Sequence, residues 1–171
     1  MKTTNFGTRL MAQDCESLVT PLPGQTFIDV LIEAIHQIKY SLDVIQYQWN
    51  FYSGQPGSKI QELNRAVLAQ AQGGKKVRVL LNKEGRGQHL MVINMKASQY
   101  LKESGAMVKF GKSFPITHAK LWVFDDDAVI LGSHNLSSRS VTVNNESSAL
   151  IKSRPVAREF KRYFDLLWGL S

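Results

Sequence analysis

The chain has 171 residues, 43% hydrophobic and 20% charged, with a formal net charge of +7. That is room for one domain with a real core, and the composition excludes a wholly disordered chain. One cysteine, Cys15, excludes an intramolecular disulfide and a zinc site built from several thiolates of one chain, and no apolar run is long enough to span a bilayer.

In chain order, residues 1–24 are polar, end in Pro21-Leu22-Pro23-Gly24 and read as an N-terminal arm ahead of a domain over 25–171. From Thr26, the residues Phe27, Val30, Leu31, Ala34, Ile35 and Ile38 recur at helical spacing. Ser41 to Trp49 reads as a strand and Asn50 to Ser58 as a turn-rich loop. Ile60 to Gln72 returns to the helical period and stops at Gly73-Gly74. Val77 to Leu81 is a short strand, Asn82 to Gln88 a loop, Leu90 to Glu103 a helix, and Val108 and Phe110 mark another strand. His118 to Phe124, Ala128 to Leu131 and Ser148 to Ile151 are three further strands, and Arg154 to Trp168 is a closing amphipathic helix. Alternating helices and strands followed by a strand-rich half predict a mixed α/β sandwich, a sheet between helices, in a single domain.

The chemistry concentrates in Thr117 to Asp125. On an extended chain His118 and Lys120 project to one side, roughly 7 Å apart along the strand. A cation beside the imidazole disfavours its protonation and keeps the ring neutral and nucleophilic. The next strand ends Leu131-Gly132-Ser133-His134-Asn135, where Ser133 and Asn135 share a face if the chain stays extended. Their hydroxyl and amide are donors for phosphate oxygens, and Gly132 permits close backbone approach. Asn144-Asn145-Glu146 then brings a carboxylate that could accept from His118 Nδ1–H and fix its tautomer.

His118-x-Lys120, then Asp125, then Gly132-Ser133-x-Asn135 resembles the HKD signature of the phospholipase D superfamily. Glu146 is similar to the Asn-x-Glu element of its small members, and the order of elements from Thr26 to Trp168 resembles the short single-motif phosphodiesterases and nucleases. The resemblance implies attack by His118 Nε2 on phosphorus, a phosphohistidine, and a second histidine as acid and then base. The family draws that histidine from a second motif, and this chain contains one motif. The implied solution is a homodimer whose two copies of His118 meet at one site, with Lys120, Ser133 and Asn135 from both around the phosphate. The scheme requires no metal or other cofactor, and no acidic cluster lies beside His118 in the sequence. Asp125, seven residues from His118, falls on the opposite face and is expected to hold the strand turn rather than touch phosphate.

Other polar residues divide between function and ordinary structure. His134 faces away from Ser133 and Asn135 and reads as a packing residue. His36 and His89 read as helix or loop residues, the second beside Gly85-Arg86-Gly87-Gln88. Lys75, Lys76, Arg78, Lys83, Arg86, Lys109 and Lys112 surround the middle strands, where a solvated surface is the default. The resemblance singles out Lys83, Arg86 and Lys112, with Arg139, as candidate contacts to a nucleic-acid substrate. Tyr47, Trp49, Phe51 and Tyr52 read as core or dimer interface ahead of base stacking. The resemblance, with the basic charge, implies a nuclease acting on DNA or RNA, sequence-tolerant because a compact domain leaves little surface for base readout. The alternatives are a phospholipase D or cardiolipin-hydrolase type enzyme acting on phospholipid, and a nucleic-acid-binding module with a vestigial site. Met1 to Cys15 has no apolar segment of secretory type, which points to a cytoplasmic chain, although a signal removed earlier would leave no trace.

Overall fold

A computed structural model describes residues 15–51, 57–83 and 88–171. The order of elements is β1 (Leu18–Pro23), α1 (Thr26–His36), β2 (Ser41–Gln46), α2 (Lys59–Gln72), β3 (Lys76–Leu81), α3 (Gln88–Glu103), β4 (Met107–Phe110), β5 (Leu121–Phe124), β6 (Ala128–Gly132), α4 (Ser138–Thr142), β7 (Ser147–Lys152) and α5 (Arg154–Gly169). The strands form one seven-stranded mixed sheet in the order β1-β7-β6-β5-β2-β3-β4. β2, β3 and β4 run parallel through helical crossovers, while β5, β6, β7 and β1 each pair antiparallel with the strand before them in the sheet.

Alternation sorts the strand residues onto two faces. Leu42, Val44, Val77, Val79, Leu81, Trp122, Phe124 and Ile130 pack beneath α1, α2 and α3 in the larger core. Ile45, Leu80, Leu121, Val123 and Val129 pack on the other face against Ala157, Phe164 and their neighbours on α5. The helical stripe Phe27, Leu31 and Ile35 is buried as its period requires. Trp49 and Trp122 lie at the heart of the larger core with ring centroids 5.5 Å apart. Each buried indole removes about 150–250 Å² from water, worth about 4–6 kcal/mol before entropy is charged against it.

The observed sandwich is the expected one, with local differences. Leu18–Pro23, read from sequence as part of an arm, is an edge strand paired with β7. Its Pro21 and Pro23 suit an edge, because neither can donate to a second neighbour. Ser41 to Trp49 forms a ladder only to Gln46, and Trp49 makes an isolated bridge to Leu136. His118 to Lys120 precede β5 instead of belonging to it. α4, five residues with the Ser137 side chain accepting from the Ser140 amide, was not expected.

Arg78, grouped with surface cations in the sequence, is buried on β3 and clasps the buried Asp43 of β2 through two bonds of 2.6 and 2.9 Å. Lys161 Nζ of α5 reaches the same carboxylate at 2.6 Å, and Arg78 also meets Asp165 at 2.7 Å. The guanidinium lies over the Phe164 ring at 4.7 Å. The register of β2 on β3 places Asp43 opposite Arg78, so this network fastens α5 to the sheet.

Candidate functional site

The C-terminal ends of β2, β3, β4 and β6 and the starts of β5 and β7 share one edge of the sandwich. Polar side chains fix the backbone there. Asn94 of α3 accepts from the Trp49 amide at 2.9 Å and donates to the carbonyls of Tyr47 at 2.8 Å and Asn82 at 3.0 Å. Asn82 in turn accepts from the Thr117 amide at 3.0 Å, which anchors the chain one residue before His118. Sequence reading missed both amides. The available signal was Asn94 at helical spacing from Ala97 and Leu101, on the buried face.

His118 is exposed, and the buried Lys120 ammonium lies 3.4 Å from its Nδ1 and 3.5 Å from its Nε2. Lys120 Nζ also donates to the His118 carbonyl at 2.8 Å. The Tyr47 ring packs on the imidazole at 4.6 Å and beneath the ammonium at 5.0 Å. Desolvation, and then the Lys120 charge, hold the imidazole below its ordinary pKa. Burial lowers Lys120 as well, against the attraction of Glu146. Among its described partners the ammonium has no carboxylate in contact. A buried cation without a counter-charge is costly, so this pocket favours an anion.

Gly132 carries the chain past β7. Its amide donates to the Lys120 carbonyl at 3.3 Å, and a Cβ there would collide with Ser148 Oγ and the Ser147 carbonyl. Ser133 follows, with its amide on the Ser147 carbonyl at 2.9 Å and its hydroxyl donating to Glu146. Glu146 also accepts from Ser140 Oγ at 3.1 Å and Asn144 Nδ2 at 3.2 Å. Burial raises the Glu146 pKa, but these donors outweigh it and hold the carboxylate below its ordinary range. The expected bond from His118 to Glu146 is therefore corrected: among the described residues the carboxylate is held by Ser133, Ser140 and Asn144. The turn through α4 brings those donors closer than the imidazole. Asn135 is half-buried, and its Oδ1 is enclosed without a donor.

His134 points the other way. It is fully buried, stacks on Phe27 at 4.0 Å, and bonds the Gly24 carbonyl through Nε2 at 3.0 Å and Ser148 Oγ through Nδ1 at 2.7 Å. The Gly24 carbonyl can only accept, so Nε2 carries a proton, and in the neutral ring Nδ1 then accepts from the Ser148 hydroxyl. Burial lowers its pKa, opposed by the Gly24 carbonyl and Glu146. The Asp125 carboxylate accepts the amides of Lys39, Tyr40 and Ser41 at 2.6–2.8 Å, far along β5 from His118. His36 and His89 are exposed.

The peripheral candidates divide. Lys83 is exposed at the end of β3, Lys112 is exposed after β4, and Arg139 is exposed on α4. Arg86 and Tyr52 lie outside the described residues. Lys109 is tied by its ammonium to the Trp168 and Ser171 carbonyls, and Lys75 to the Lys39 carbonyl. Trp49 is core, and the half-buried Phe51 stacks on Tyr100 at 4.2 Å. Among the described residues, no three His, Cys, Asp or Glu side chains gather as a metal site, and no helix is long and apolar enough to cross a membrane.

Comparison with known proteins returns the same architecture. A family model described as cardiolipin synthase, PLD-like domain, matches residues 31–168. The 5'-3' exonuclease PLD3 of Xenopus laevis is 26% identical over 94% of this chain and 33% of its own length. The mitochondrial cardiolipin hydrolase of Canis lupus familiaris is 23% identical over 85% of this chain and 52% of its own length. The chain thus spans about a third of the first relative and about half of the second. Among solved structures, the phospholipase D family member Nuc from Salmonella typhimurium superposes with a TM-score of 0.74 at 21% identity, covering 92% of this chain and 96% of that one. NucT from Helicobacter pylori gives 0.72 at 19% identity, covering 91% and 98%.

Proposed function

The chain belongs to the cardiolipin synthase and phospholipase D-like domain family, and from that premise we propose that it is a phosphodiesterase, specifically a metal-independent nuclease whose site is completed by a second copy of the chain. One observation supports this above the others: an imidazole held below its ordinary pKa stands beside a buried ammonium that, among its described partners, has no contacting carboxylate. A phosphodiester supplies the missing anion and presents phosphorus to the ring.

His118 Nε2 attacks phosphorus and forms the N–P bond as the bond to the leaving oxygen breaks. The partner subunit's His118, as imidazolium, gives its proton to that oxygen. The resulting neutral ring then takes a proton from water, whose oxygen attacks phosphorus and releases His118. The products are an alcohol and a phosphomonoester. Lys120 and Asn135 stabilise charge on the non-bridging oxygens. Ser133, bonded to Glu146, lines the phosphate side of the site, and Glu146 orients that hydroxyl. Asp125 and Gly132 hold β5 and β6 in place, while Lys83, Lys112, Arg139 and Arg86 serve the strand beyond the reacting phosphate.

The test is cleavage of labelled single- and double-stranded DNA and RNA in EDTA, with mass spectrometry of the His118 peptide after rapid quenching. Turnover in chelator and a phosphorylated His118 are expected. Activity lost to EDTA and restored by magnesium would overturn the mechanism. The relatives named cardiolipin hydrolase support a second reading, a lipid phosphodiesterase with the same residues. Cardiolipin turnover exceeding that of every nucleic acid would decide for it.

A further inference from the structure

Residues 111–117 join β4 to β5 and end against His118. The foot of this loop is clamped. The Gly111 amide donates to the Leu81 carbonyl at 2.8 Å, and the Thr117 amide to Asn82 Oδ1 at 3.0 Å. A Cβ at Gly111 would run into Thr117 Oγ1, so the two ends approach as closely as only glycine allows. The tip lies in water: Phe114 is 88% exposed, the highest value among the exposed large hydrophobic side chains, and Ile116 is 52% exposed. Lys112 is exposed on the ascending side, and Lys83 is exposed next to Asn82, which holds the descending side.

A phenyl ring is thus presented to solvent from a fixed base, with exposed Lys112 two residues before it and exposed Lys83 beside the Asn82 that holds the loop's foot. Three residues lie between it and His118, and the four steps of chain bound the distance between their Cα atoms at about 14 Å. An exposed ring on a loop with basic residues along it and at its foot matches a nucleotide, whose base offers a π-face and whose phosphate offers charge. A lipid surface would call for a broader apolar face with basic residues along it, such as an amphipathic helix, and the tip offers one ring and one aliphatic side chain.

We propose that Phe114 is a stacking platform for an unpaired nucleobase of the strand whose phosphodiester is bound at His118, with Lys112 and Lys83 on the adjoining phosphates. This rests on the nuclease reading and deepens it, because it assigns the substrate class as single-stranded. A base stacked and paired within a duplex has no free face for the ring.

Binding separates this proposal from catalysis. In a His118→Asn background, fluorescence anisotropy compares a labelled oligothymidine with the same strand carrying abasic sites, with and without Phe114→Ala. The parent is expected to prefer the base-bearing strand. Phe114→Ala should shrink that preference by roughly 5- to 150-fold, and Phe114→Trp should keep it. The side chain is almost wholly exposed, so the alanine variant is expected to fold. An undiminished preference in Phe114→Ala overturns the proposal, as does equal loss of affinity for both strands. Loss of binding to cardiolipin vesicles, with oligothymidine binding unaffected, overturns it in favour of a lipid surface. If the wild type cleaves no nucleic acid, the nuclease reading fails, and the anisotropy series still decides for or against stacking.

Discussion

At the scale of single residues, His118 and His134 show how surroundings divide one side-chain type between two tasks. His118 is open to solvent beside an ammonium, whereas His134 is sealed between Phe27, Gly24 and Ser148. If His118 is the nucleophile proposed above, His118→Asn should reduce turnover by about 10⁴-fold or more with no change in circular dichroism. The lowered His118 pKa also fixes a sign. Its neutral form persists below its ordinary value near 6.5, so the acid limb of kcat/KM should fall at a lower pH than that. Lys120→Gln should move this limb upward, though only in part, because desolvation is the larger cause. Stability near neutral pH responds to His134 as well, whose folded pKa is depressed by burial. Its contribution is intact above the unfolded value of about 6.5 and is lost as pH falls toward the folded value. Urea midpoints between about pH 8 and about pH 5 should therefore decline, and His134→Gln should flatten that decline.

At the scale of elements, the parallel pair β2 and β3 carries the most consequential contact outside the site. Asp43→Ala leaves Arg78 to Asp165 and Lys161 to Asp126, both more exposed carboxylates, and should cost about 3 kcal/mol in chemical denaturation. Arg78→Met in the same chain should recover part of that loss. The sequence carries little trace of this pair, because Asp43 meets Arg78 only once the register of two strands 35 residues apart is set. Strands such as Val77 to Leu81 were legible from β-branched and leucine content. β1 was not, since its prolines and exposed side chains imitate a linker and its partner lies about 130 residues downstream. The pairing of His118 with Lys120 was legible for the opposite reason: both lie on one short extended segment. The partners of Glu146 were not, because a five-residue helix with no apolar period decides which donors reach it.

At the scale of the whole molecule, one motif per chain is the feature with the largest functional reach. If two copies complete one site, heterodimers of wild type with His118→Asn should retain far less than half of wild-type turnover. Tandem purification of differently tagged subunits, followed by a cleavage assay, measures this directly. Half-normal turnover would indicate independent sites. The sheet order adds a temporal consequence. β7 lies between β6 and β1, so the far edge of the sheet is assembled by residues about 130 positions apart. Contacts of such long range form late. The edge strand β1, made first, therefore waits without its partner until the chain through β7 has been synthesised and folded.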